Sequence, residues 1–120
     1  MNRVADIAAK TLYAHGVRHA FGMPGGEVVT FVDALEAAGI KFILARHETA
    51  AAFMAAAEGV NRDAPGLVVT TIGPGLTNAV NGIADASQEH APLIVVSGVI
   101  DRNIRQRYTH QVMDHSVLLR

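Results

Sequence analysis

Apolar positions at Val4, Ile7, Ala8, Leu12 and Tyr13 follow the helical repeat. This spacing predicts a helix over residues 2–15 that stops at His15-Gly16, where glycine can take the left-handed cap conformation. The next run, VRHAFGM, is short and apolar and predicts a strand; it ends in PGG, a turn with little side-chain bulk over its backbone. Helical spacing returns over 27–38 through Val28, Phe31, Val32 and Leu35. After Gly39 the run IKFILA predicts a buried strand. A helix from Glu48 to about Val60 follows, then the turn NRDAPG, the strand LVVTTI, the glycine-rich turn GPGLTN, a helix over 76–88 and a fourth strand in PLIVVSGVI.

Strand and helix alternate, and the strands are apolar, β-branched and short. That pattern predicts an α/β fold, a parallel sheet sandwiched between helices. In such a fold the crossovers are right-handed and ligands gather beyond the carboxyl ends of the strands. The segments PGG, RHE (46–48) and GPGLTN (73–78) all fall at those ends. From Val99 the pattern turns polar, DRNIRQRYTHQVMDH, which reads as a loop or a short helix; Leu119-Arg120 follow without a terminating strand. The expectation is one domain over 1–120, incomplete at its C-terminal end.

Half of the 120 residues are apolar, enough for one domain with a real core. Ten Lys plus Arg against eleven Asp plus Glu leave a net charge of −1, which offers nucleic acid no steering field and anionic lipid no basic face. No run approaches the roughly 18 apolar residues of a membrane span, and the N-terminus lacks a signal peptide's apolar centre, so the expected location is cytoplasmic. Zero cysteines exclude disulfides, thiolate zinc sites and cysteine nucleophiles. The six histidines, at 15, 19, 47, 90, 110 and 115, include no HExxH spacing, so no metal site is expected within this chain.

Glu48 is the most informative ionisable residue, because it stands at the mouth of a helix made largely of small residues. Desolvation there favours its neutral form and the helix N-terminus its charged form. It is either a plain helix-start carboxylate or a group held for proton transfer. Ala51, Ala52, Ala55, Ala56 and Gly59 share one face of that helix, either packed on the sheet or left small so that a second helix or subunit can approach. Beside Glu48, His47 is a general base or a histidine bonded to backbone, and Arg46 is expected to be an ion-pair partner. GPGLTN begins like a dinucleotide fingerprint, yet Asn78 replaces the third glycine and no acid stands where a ribose would be read. Its amides still leave open a polar or phosphate-bearing ligand.

Taken in order, HGVRHAFGMPGG, ILARHETAAAFMAAAEG, VVTTIGPGLTNAVNGIADA and PLIVVSGV resemble the pyrimidine-binding N-terminal domain of thiamine-diphosphate enzymes of the acetolactate synthase type. The likeness covers nearly the whole chain, and four motifs in one order are far more specific than any one of them. It implies that Glu48 contacts N1′ of the cofactor's aminopyrimidine, where a carboxyl favours the imino tautomer able to deprotonate thiazolium C2. It also implies that Pro24 and Gly25 lie against the pyrimidine, that Pro74 and Asn78 belong to the loop near the cofactor, and that Gln111 faces the reacting centre. His110 and Val112 flank that glutamine, where the family usually has an aromatic residue and an acid.

The resemblance further implies that the diphosphate and Mg²⁺ are held by a second domain with a Gly-Asp-Gly segment, which this sequence does not contain. Either a homo-oligomer (dimer or tetramer) or a diphosphate-domain partner chain is then required, with the helices after Glu48 and Gly75 as interface faces. FAD, where used, belongs to a middle domain. The implied activity is making or breaking a C–C bond next to the 2-oxo group of a small acid, as in acetolactate synthase. The alternatives are a decarboxylase of another 2-oxo acid, including the split-chain sulfopyruvate type, and a non-catalytic assembly module of the same fold.

Overall fold

A computed structural model describes residues 3–120. The elements run α1 (Val4–Ala14), β1 (His19–Gly22), α2 (Val29–Ala37), β2 (Lys41–Leu44), α3 (Glu48–Asn61), β3 (Gly66–Thr70), α4 (Pro74–Gln88), β4 (Leu93–Ser97), a 3₁₀ turn at Arg105–Arg107 and α5 (His115–Leu118). All four strands are parallel, in the order β2-β1-β3-β4, with Phe21 beside Val68 and Val68 beside Val95. The chain is therefore the expected α/β sandwich.

Alternation along the pleat splits the core into two layers. Leu67 and Val69 of β3 point to one face, where they join Ala9 of α1, Ala34 and Leu35 of α2, and Ile40. Val68 points to the other, against Ala51, Ala52 and Ala55 of α3, with Phe21 and Ala45. Each fully buried Leu or Ile contributes about 1.5–3 kcal/mol, so Leu35, Ile40 and Leu67, all shielded from solvent, anchor the first layer.

β3 is buried throughout, as its continuous apolar run predicts. IKFILA is not a buried strand: β2 is an edge strand with Lys41 and Leu44 exposed. Four residues of mixed side chains carry too little periodicity to separate edge from centre.

At the other end of the fold, Arg3 closes the first turn of α1. Its main-chain N–H donates to Asp6 Oδ2 at 3.0 Å and its guanidinium to Oδ1 at 2.7 Å. Those two bonds hold the Asp6 carboxyl below the usual carboxylate range. Among the described residues no helix is long and apolar enough to cross a membrane.

Candidate active site

β2 delivers the chain to a two-residue bend, Arg46-His47, which leads into α3. His47 is the N-cap: its Nδ1 accepts the Thr49 main-chain N–H at 3.2 Å. That bond answers the open question about His47, which is exposed and caps the helix. Arg46 is also exposed and forms no ion pair among the described residues, contrary to expectation.

Glu48, the first residue of α3, is buried to 6% exposure. The small side chains behind it are the reason. Ala51, Ala52, Ala55, Ala56 and Gly59 face inward, and a Cβ on Gly66 would lie 1.8 Å from the Ala55 carbonyl oxygen, so α3 lies directly on β3. Of the two readings of that face, packing on the sheet holds, and the expectation that these alanines themselves meet a second subunit does not, because the fold of this same chain already covers them. Small residues at helical spacing show that something comes close, and not what.

α4 closes the other side. Gly73 is its N-cap at φ +61°, a left-handed conformation that suits glycine, and Pro74 is the first helical residue. The turn at Gly73 thus passes into the helix at Pro74, two residues before the expected start at 76. Starting the helix at Pro74 puts Asn78 in its second turn, on the side of α3. Asn78 Nδ2 donates to Glu48 Oε2 at 3.1 Å, and the Thr49 hydroxyl donates to the Asn78 carbonyl. Gly82, one turn on, admits this approach, since a Cβ there would lie 2.7 Å from Ala52 Cβ.

Glu48 Oε1 accepts no hydrogen bond among the described residues and faces the bare backbone of Gly75: a Cβ there would lie 3.6 Å from it and 2.3 Å from Thr71 Oγ1. Thr71 also fills the space under Gly25, where a Cβ would meet its Cγ2 at 2.4 Å. The PGG, RHE and GPG segments thus converge around one residue that sequence reasoning missed. Thr71 follows β3 directly, and LVVTTI reads as uninterrupted strand, so only its place before a glycine-rich helix start could have singled it out.

Pro24 and Pro74 are exposed, on the loop after β1 and at the head of α4. Gln111 arrives from the C-terminal segment in a left-handed conformation, φ 57°. Its carbonyl oxygen and Cβ would be 3.0 and 3.1 Å from a Cβ on Gly73. The same segment is tied down by His115, whose Nε2 accepts the Gly73 N–H at 3.1 Å. Glu48, Asn78, Gly25 and Gln111 are therefore gathered at the carboxyl ends of β1, β2 and β3, and the two prolines lie beside them on the chain.

The site is thus a buried carboxylate at a helix start beside a parallel sheet, with one oxygen held by Asn78 and the other facing the backbone of Gly75. Residues 2–118 match the family described as thiamine pyrophosphate enzyme, N-terminal TPP binding domain, and the chain belongs to that family. Among its relatives, the acetolactate synthase of Bacillus subtilis (strain 168) is 40% identical over 117 residues, 98% of this chain and 20% of that protein. The catabolic acetolactate synthase of Raoultella terrigena is 39% identical over 110 residues, 92% of this chain and 20% of that protein. The acetolactate synthase isozyme 3 large subunit of Escherichia coli (strain K12) is 42% identical over 97 residues, 80% and 17% respectively. The chain spans about a fifth of the length of these relatives.

Proposed function

We propose that this domain supplies the pyrimidine side of the cofactor site in a thiamine-diphosphate enzyme that makes or breaks a C–C bond next to a 2-oxo group, in the manner of acetolactate synthase. One observation carries the reading: the buried Glu48 carboxylate keeps Oε1 free beside Gly75 while Asn78 occupies Oε2. The residues present suit the cofactor. An aminopyrimidine is flat and presents ring nitrogens at its edge, and this site offers a carboxyl oxygen at the edge of a surface that Gly25 and Gly75 leave bare. Pro24 and Gly25 would form the wall against the ring, with Pro74 and Asn78 at the head of α4.

When bound, thiamine diphosphate supplies a carbon nucleophile, at thiazolium C2, for a 2-oxo group. The chain's own task is to hold a proton at the right atom. The Asn78 bond fixes the carboxyl rotamer and leaves Oε1 as the oxygen that would exchange the proton. Gln111, leaning on Gly73, is the candidate to face the substrate. The diphosphate and Mg²⁺ would be held elsewhere, in a second domain or a partner subunit.

The test is Glu48→Gln in the full-length protein, with proton exchange at cofactor C2 followed by NMR. General acid–base groups contribute about 10²–10⁴-fold, so exchange should fall by at least the lower figure with the fold unchanged. Exchange near the wild-type rate sinks the assignment. Release of carbon dioxide without a condensation product would shift the reaction to a decarboxylase and leave the role of Glu48 standing.

A further inference from the structure

Beside the Gly73 turn, Ile72 and the C-terminal segment line a half-open cavity of about 210 Å³. Ile72, Ile100, Val112 and Met113 form its apolar wall, and Arg105 and His115 are among its polar lining. Of these six, only His115 enters the site described above, through its bond to Gly73.

Their chemistry is specific. A ring nitrogen that accepts an amide N–H carries no proton, so with Nε2 occupied by Gly73 the neutral His115 ring holds its proton on Nδ1 and is a donor there. That donor has no acceptor among the described residues. Arg105 has no ion pair among them either. Asp114 also lines the cavity: its Oδ1 accepts the Ser116 N–H and hydroxyl at 3.0 and 2.5 Å, and these bonds, with Arg105's charge nearby, hold its carboxyl below the usual carboxylate range, so a bound carboxylate would share Arg105 with it. A guanidinium and an imidazole N–H beside an aliphatic wall suit a carboxylate with a short hydrocarbon tail. The volume equals roughly seven waters in the liquid, room for an acid of about four to six carbons.

We propose that this cavity is a binding site for a short aliphatic monocarboxylate, with Arg105 pairing the carboxylate and Ile72, Ile100, Val112 and Met113 holding the tail. The site stands independently of the role proposed for Glu48. Two sources share this chemistry: a 2-oxo acid on its way to the reaction, and an effector acid that never reacts.

The experiment is a titration of the full-length protein, freed of cofactor, by calorimetry and ligand-observed NMR. Its probes are butanoate, 2-oxobutanoate and the neutral butanamide. Saturable butanoate binding is expected, weakened roughly tenfold or more by Arg105→Gln, since charge-assisted bonds carry that much, and unchanged by Arg107→Gln, two residues away and outside the cavity. Butanamide should bind about tenfold more weakly than butanoate or worse. Tighter binding of 2-oxobutanoate supports the site as a substrate station; equal binding supports it as an effector site. Arg105 is exposed, so its replacement leaves folding intact, and Ile100→Trp, which fills the cavity, should abolish binding. No saturable binding, or equal losses in Arg105→Gln and Arg107→Gln, overturns the proposal. Because no cofactor is present, neither result bears on Glu48.

Discussion

Replacing Gly82 with alanine tests whether helix spacing aims Glu48. Taken alone, Gly→Ala inside a helix stabilises by up to about 1 kcal/mol. Here the new methyl would lie 2.7 Å from Ala52 Cβ and 3.0 Å from the Thr49 carbonyl oxygen. Carbon atoms rest at about 3.5–4.0 Å, so α4 must move off α3 by roughly 1 Å. Overpacking of that size costs about 1–3 kcal/mol, which offsets the helix gain. The movement also stretches the 3.1 Å bond from Asn78 to Glu48 beyond hydrogen-bonding range. A buried carboxylate oxygen without its donor adds about 1.5–3 kcal/mol. The expected net loss is about 2–4 kcal/mol, read by urea unfolding followed with a probe in this domain, together with slower C2 exchange. A cycle with Ala52→Gly separates the clash from propensity, and a coupling of at least about 1 kcal/mol is expected between the two sites. A Gly82→Ala protein as stable as wild type, or more stable, refutes the argument.

Two further outcomes follow from other parts of the fold. Thr70 is wholly buried and its hydroxyl has no hydrogen-bond partner, so Thr70→Val should stabilise by about 1–2 kcal/mol and raise the thermal midpoint; a clear loss would mean that the hydroxyl is bonded in solution. The Asp6 carboxyl, held down by Arg3, stabilises the folded chain above the ordinary carboxylate range, and that contribution disappears as pH falls through its depressed folded value. An NMR titration should place Asp6 below an ordinary aspartate of about 3.9 and return it toward that value in Arg3→Ala; identical midpoints in the two proteins contradict the cap.

The sandwich was legible because β3 and its neighbours carry apolar runs that only a covered parallel sheet accommodates. Glu48 was legible as a carboxylate against small residues. Its partner was half legible: Asn78 stood out and lay within the helix expected over 76–88, but nothing in the sequence showed that its face of that helix reaches Glu48. Thr71 escaped because its importance lies in what meets it from Gly25 and Gly75, residues 46 and 4 positions away in sequence, and one-dimensional patterns carry no such juxtapositions. The alanine face was left open between the sheet and a partner because the identity of a covering surface is a long-range property.

That alanine face has a mechanical side. Where α3 meets β3 at Gly66 and α4 at Gly82, the backbones lie so close that not even one added methyl would fit. A joint of this kind has almost no slack and little void to surrender under compression. The depth at which Glu48 is held is then a matter of atomic radii, and it stays constant across conditions that would let a softer interface drift.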